Sequence, residues 1–294
     1  MPQYHAIMKK MRAYGVFMNA KRGLLILLAV VAALACLSGC SRAPQARESA
    51  YGVFLGVDPQ DADKLAGYET VVIDATYYTK AELAALRENG AKTIWSYLNI
   101  GSIETFRDGY DAFRDDTLAP YENWPDEYWM DVSLPAWQSF IADCAAALAE
   151  KGVDGFFLDN ADVYYFFPTD EIFNALTEMV GSLESFGLDV IVNGGDAFVE
   201  RAVLAPDEPL VNITGVNQEC VFTNIDFSRS RLVRQDAETT RYYQDYLNLC
   251  AEKGLRVFLT EYAGRGGWLE RKIDRYCENN GFFYYLSPSA ELDG

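Results

Sequence analysis

Alternation is the feature that most constrains this chain: eight short apolar or aromatic runs recur over about 240 residues, separated by segments with helical spacing. The runs lie at 51–57, 70–75, 93–98, 155–159, 190–193, 211–217, 256–261 and 282–287. Between them, 80–89, 135–151, 170–186, 197–204, 237–253 and 268–280 carry apolar residues at helical intervals. Asn89-Gly90, Lys151-Gly152, Lys253-Gly254 and Asn280-Gly281 end four of these segments with a glycine suited to a helix C-cap. Strand and helix alternating eight times predict an α/β protein built as a single (β/α)8 TIM barrel. A doubly wound open sheet is the competing arrangement, but no G-x-G-x-x-G or phosphate-binding loop follows the first run.

Composition narrows the chemistry. The chain has 294 residues, with 25 Lys+Arg, 43 Asp+Glu and one histidine, His5, upstream of a hydrophobic leader. Once the leader is removed no histidine remains, which excludes Ser-His-Asp and Cys-His catalysis, His-ligated zinc and an imidazole proton shuttle. Lys21-Arg22, the apolar run 23–37 and the small residues ahead of Cys40 have the order of a secretory signal, and the run is short for a bilayer span. Leu37-Ser38-Gly39-Cys40 resembles the bacterial lipobox, which implies that Cys40 is diacylated and becomes the first residue of a mature lipoprotein. An ordinary signal peptide or a membrane anchor is the alternative, and Met18 is a second candidate start. The expected division is a signal peptide with lipobox at 1–39, a polar tether at 40–49 and one barrel domain at 50–294. Such a protein is secreted across the cytoplasmic membrane and lipid-anchored to the cell envelope.

Loss of residues 1–39 removes five basic residues and no acid, leaving 20 Lys+Arg against 43 Asp+Glu, a formal charge of −23. That surface repels nucleic acid and suits a cationic substrate, although solubility alone also explains it. Cys40, Cys144, Cys220, Cys250 and Cys277 show no C-x-x-C and no metal-ligand spacing. They read as packing residues with at most one disulfide, and neither a metal nor a cofactor is expected. Asp108, Asp111, Asp115 and Asp116 lack the glycine and terminal glutamate of a calcium loop and read as solvated surface.

A barrel gathers its site at the C-terminal ends of its strands. Asp74 follows the second run here, Asn99 and Glu104 the third, and Asp159, Asn160 and Asp162 the fourth. Asn193 and Asp196 follow the fifth, Asn217-Gln218-Glu219 the sixth and Glu261-Tyr262 the seventh. Any single one could cap a helix. Several carboxylates converging on one end cost stability unless a ligand or function compensates, so the set reads as a site. Period-two alternation puts Gly155, Phe157 and Asp159 on the inward face and turns Phe156 and Leu158 to the helices. The insertion 101–134 lies over the barrel mouth, with Trp124, Tyr128 and Trp129 available as sugar platforms or as packing for the loop.

Five segments together resemble a known family: Leu98-Asn99-Ile100-Gly101-Ser102-Ile103-Glu104 with Arg107-Asp108; Trp124-Pro125 with Trp129-Met130-Asp131-Val132; Asp154-Gly155-Phe156-Phe157-Leu158-Asp159-Asn160 with Asp162; Gly215-Val216-Asn217-Gln218-Glu219-Cys220-Val221-Phe222; and Glu261-Tyr262-Ala263. They are similar to glycoside hydrolase family 114, in its bacterial lipoprotein branch of endo-α-1,4-polygalactosaminidases, over roughly 50–287. The resemblance implies hydrolysis of α-1,4 linkages in an extracellular galactosamine-containing polysaccharide, with Asp159 and Glu219 as catalysts and no cofactor. Asp74, Tyr97, Asn99, Glu104, Arg107, Asn160, Asp162, Asn193, Asp196, Glu261 and Tyr262 are then expected to bind substrate. Many members have consecutive acids where this chain has Asn217-Gln218 before Glu219.

Glu219 reads as the proton donor and Asp159 as the nucleophile, because Asn160 and Asp162 make a polar setting that keeps a carboxylate charged. A barrel kept as a non-catalytic carbohydrate-binding lipoprotein is the main alternative, and the presence of both carboxylates argues against it. A metal-assisted deacetylase is disfavoured by the missing histidines.

Overall fold

The computed structural model describes residues 50–294, so the leader, Cys40 and the tether lie outside the described residues. Eight parallel strands pair in sequence order: β1 (Tyr51–Phe54), β2 (Thr70–Ile73), β3 (Thr93–Asn99), β4 (Gly155–Asp159), β5 (Asp189–Asn193), β6 (Gly215–Glu219), β7 (Arg256–Tyr262) and β8 (Phe283–Ser287). β8 returns beside β1, where the rings of Phe54 and Tyr285 lie 5.2 Å apart, and the sheet curls into a nearly closed barrel. The first two runs stop pairing at Phe54 and Ile73, short of their expected ends, and the strand start that moves most is that of β6. The run 211–217 becomes strand only at Gly215, because Val211 and Ile213 are buried in the connection ahead of it without joining the ladder.

The helices that follow barrel strands include α1 (Lys80–Glu88), α2 (Pro135–Lys151), α3 (Asp170–Glu184), α4 (Asp196–Val199), α5 (Ala237–Glu252) and α6 (Trp268–Asn280), with further single turns at Tyr110–Phe113 and Val163–Phe166. Thr79 and Glu82 open α1 with a reciprocal capping box, and Asp236 caps α5 by accepting from the amides of Glu238 and Thr239. Along α3, Ile172, Phe173, Leu176, Met179, Val180 and Leu183 form one buried stripe, the face it turns to the core. α2 and α6 end at Gly152 and Gly281 with φ of 93° and 70°, a conformation that a side chain would penalise. The expected helix 197–204 changes winding partway: α4 passes into a π turn over Glu200–Leu204. Phe198, Val199, Ala202 and Val203 are buried in this mixed winding, and their spacing suits a regular helix just as well.

Tyr51, Trp95 and Phe258 fill the floor of the barrel, with ring centroids 4.8 to 6.4 Å apart. Gly155 makes room for them, since a Cβ there would fall 2.7 Å from the Trp95 ring. Phe156 instead faces outward onto Phe186, 5.6 Å away. The alternation read along β4 is therefore the one the fold uses, and it leaves Asp159 above an aromatic plug. Truncating a plug residue such as Phe258 to alanine would cost about 3–5 kcal/mol.

Two excursions rise above the strand ends. Residues 101–134 contain a three-stranded antiparallel sheet in which Glu127–Met130 lies between Ser102–Glu104 and Thr117–Pro120. Thr223–Asp226 and Arg231–Arg234 form a hairpin after β6. Asp111 and Asp115 are almost fully exposed around Arg114, in keeping with a solvated surface. Cys144, Cys220, Cys250 and Cys277 are free thiols, and Cys250 and Cys277 are fully buried as packing.

Candidate active site

β4, β5 and β6 are neighbours in the sheet, so the inward residues that end them meet. Asn193, ending β5, donates its side-chain amide to Asp159 Oδ1 and to Glu219 Oε1, both at 2.9 Å. Two acceptors 2.9 Å from one nitrogen lie no more than about 5.8 Å apart, which is short of the roughly 6.5–9.5 Å that leaves room for a water between opposed carboxyls. The Tyr262 hydroxyl, at the end of β7, donates to Glu219 Oε2 at 2.5 Å.

Burial and the neighbouring Glu219 carboxylate push the Asp159 carboxyl well above its ordinary range, against the opposing effect of the Asn193 bond. The polar neighbours expected to keep Asp159 charged turn elsewhere. Asn160, in the left-handed region at φ 64°, gives its amide to Ser102 and Glu127 at 2.8 and 2.9 Å. Asp162 accepts from the Gly195 amide at 3.0 Å. The protonated form of Asp159 is therefore favoured by its burial and by the carboxylate beside it.

Asp74, Tyr97, Glu104 and Arg107 form a second cluster on the β2–β3 side. Arg107 bonds Asp74 at 2.5 Å and Glu104 at 3.2 Å, and the Tyr97 hydroxyl donates to Glu104 at 3.4 Å. The guanidinium lies 5.6 Å from the Tyr97 ring centroid and 5.2 Å from that of Phe106. Tyr77, Tyr97, Glu104, Phe106 and Arg107 line part of a cavity of about 170 Å³. Tyr97 links the two clusters, because burial and then the Asp159 charge raise its phenol pKa.

Three expected substrate ligands are instead engaged by the protein itself, Asn99 from a place in the lining of that cavity. Asn99 and Asn160 are buried and converge, with Ser102, on Glu127, stapling the first excursion to the barrel rim. Glu261 is fully buried on the outward face of β7, where it accepts from the amides of Phe222 and Thr223 and from the Thr223 hydroxyl. Burial pushes its carboxyl up to about 8. These side chains therefore hold the loops that carry the site. Asp162 and Asp196 remain together beside the dyad. Burial and the Asp196 charge raise Asp162 to about 7, and Tyr242 donates to Asp196.

Residues 40–287 match the model of glycoside hydrolase family GH114. The chain belongs to glycoside hydrolase family 114. Among solved structures it is similar to the glycoside hydrolase domain of PelA from Pseudomonas aeruginosa, at 19% identity over 84% of this chain and 96% of that one, with a TM-score of 0.69. It is also similar to Aspergillus fumigatus Ega3, solved in complex with galactosamine, at 18% identity over 87% of this chain and 96% of that one, with a TM-score of 0.63. An α-galactosidase from Thermus thermophilus, TtGalA, shares 12% identity over 84% of this chain and 62% of that one, with a TM-score of 0.53. These likenesses are of fold. No curated protein matches the chain.

As a family 114 glycoside hydrolase, the protein carries further residues at its site that sequence reading did not single out. Tyr121 donates to Asn160 at 3.2 Å and stacks on Trp129 at 4.3 Å, and its phenol pKa is raised by burial and then by the Asp159 and Asp162 charges. Trp129 is buried and Tyr128 tilts against Tyr110, so both pack the excursion. Trp124 is partly exposed and meets Phe227 of the second excursion edge-on at 5.8 Å. Glu127 belongs to the staple, where burial pushes its carboxyl up. Thr260 was legible: it shares the inward face of β7 with Tyr262, one step either side of Glu261. Tyr121 and Glu127 carry no such signal, since they sit on short strands or turns without clear alternation.

Proposed function

We propose that this family 114 enzyme hydrolyses α-1,4 linkages in an extracellular galactosamine-containing polysaccharide, with Asp159 and Glu219 as its catalytic pair, while held to the cell envelope through a lipidated Cys40. The Asn193 bridge carries the mechanistic reading, because it holds two carboxyls on one side of the barrel mouth at a spacing that suits glycosidic cleavage. One carboxyl protonates the leaving oxygen and the other attacks the anomeric carbon from the opposite face, giving a glycosyl ester that water then cleaves with the first residue acting as base. The bounded separation favours this retaining route over direct attack by water.

The charge of the mature chain and the acids at the mouth support a cationic sugar. An ammonium group near Asp162 would favour its ionised form, so binding of the amine and loss of the Asp162 proton reinforce each other. Exposed Tyr77 and Phe106, beside the Arg107 cluster, offer ring faces on which sugars stack.

The test is to incubate the purified protein with partly deacetylated galactosaminogalactan and with its fully acetylated form, reading products by mass spectrometry. The deacetylated polymer should be cleaved faster, and Asp159→Asn and Glu219→Gln should each lose roughly 10²- to 10⁴-fold in rate. Binding without products would favour the carbohydrate-binding alternative, and equal rates on the two polymers would remove the cationic-sugar reading.

A further inference from the structure

Below the dyad, hydrogen bonds continue down the barrel axis in one direction. Asn193 presents its amide nitrogen to both carboxyls, so its Oδ1 faces down, where it accepts from Asn217 Nδ2 at 2.6 Å. Asn217 Oδ1 in turn accepts from the Tyr51 hydroxyl at 3.0 Å and from the Thr260 hydroxyl at 3.1 Å. Tyr51, Thr260 and Asn217 are buried, with exposures of 0, 0 and 1%, and they sit on β1, β7 and β6. None of the three touches either carboxyl in these bonds, and their burial keeps them from substrate.

We propose that Asn217, anchored by the Tyr51 and Thr260 hydroxyls, is a positioning residue that fixes the orientation of the Asn193 amide and so sets the spacing and protonation of the catalytic pair. An asparagine amide can sit either way round, and the two ends have opposite hydrogen-bonding character. Turned over, Asn193 would aim an oxygen at two carboxyls, each of which would then need a proton to form a bond. Two hydroxyl donors at the foot of the chain oppose that inversion, because a reversed Asn217 would aim its own N–H groups at them and leave a buried O–H without its acceptor. Reversal at the foot is therefore coupled to the protonation of Asp159 and Glu219 at the top.

This inference rests on Asp159 and Glu219 being the catalytic pair. The groups whose charges face that pair are Asp162 and Glu127, with the Cys220 thiol and the phenols of Tyr97, Tyr121 and Tyr262 around it and that of Tyr51 below. All except Tyr51 stay in place in the variants below.

Two variants attack the chain differently. Asn217→Asp keeps an acceptor for Tyr51 and Thr260 but removes the N–H given to Asn193. Tyr51→Phe/Thr260→Val removes the two anchoring hydroxyls and adds no charge. The experiment is the pH dependence of kcat and of KM for each, with thermal unfolding recorded alongside. Both variants should lower kcat by on the order of 10-fold, raise the pH limits of activity by about one unit and change KM little. Tyr51→Phe/Thr260→Ser, which restores one hydroxyl donor, should recover most of the loss. Should the double variant fail to fold, Tyr51→Phe alone gives the same comparison with a smaller displacement. Profiles that stay in place in both variants overturn the inference. A displacement in Asn217→Asp alone also overturns it, because an added charge then explains the effect. Full activity in Asp159→Asn or Glu219→Gln would instead overturn the catalytic pair itself, a separate result.

Discussion

Asn160 and Glu127, 33 residues apart in sequence, are joined by a buried amide-to-carboxylate hydrogen bond of 2.9 Å. The bond fastens the end of β4 to the middle strand of the first excursion. Asn160→Ala removes one of three donors around Glu127 and should cost about 1.5–3 kcal/mol, as expected for a hydrogen bond to a charged group. Urea unfolding measures the loss, and limited proteolysis should show faster cleavage within 101–134. A change below about 0.5 kcal/mol, the size of an ordinary surface substitution, would show that the excursion is held by other contacts.

The catalytic pair should separate by role when the leaving group changes. An aryl glycoside with a good leaving group needs no proton donor, so one of Asp159→Asn and Glu219→Gln should regain much of its rate on such a substrate. The other should stay inactive unless a small anion such as azide replaces the missing nucleophile. Nuclear magnetic resonance of the first-formed product should show the anomeric configuration of the substrate. Inverted product would mean that the bridged carboxyls work across an intervening water.

Asp162 gives folding stability a pH dependence. Its carboxyl titrates at about 7 in the folded protein against a reference value of 3.8, chiefly through burial and then through Asp196. Between those values the folded state holds a proton that the unfolded chain has released, so this group makes stability fall as pH rises through the window. Asp162→Asn keeps an acceptor for the Gly195 amide and removes the titration. The Tm of the variant relative to the parent should therefore increase from pH 5 to pH 8, and a constant difference would contradict the raised value.

Anchoring depends on one thiol. Cys40→Ser should stall maturation or release the protein from the membrane fraction, because stable attachment requires more than one acyl chain and the lipobox cysteine is where they are added. Wild-type processing and membrane association in that variant would remove the lipobox reading.

The barrel was legible because its strands are bounded by clear apolar runs and glycine-ended helices, and β4 and α2 begin and end where the residues indicate. The excursions were not, because three- and four-residue strands are too short for alternation to register. Within the site, Asp159, Asn193 and Tyr262 face inward as strand ends should. Glu261 shows where position alone misleads: it ends the same strand as Tyr262, but its parity turns it away from the cavity and toward the amides of Phe222 and Thr223. Asn99 and Asn160 mislead for another reason. Their partners, Ser102 and Glu127, come from the excursion, whose path the sequence does not reveal.

The edge-on meeting of Trp124 and Phe227 joins loops that follow different strands, so the excursions after β3 and β6 share one contact surface at their tips. Loop grafting on this scaffold inherits that dependence. Replacing either excursion alone strands an aromatic ring in water and frees the other tip, so attempts to retune polymer selectivity by transplantation have to move the two as a matched set.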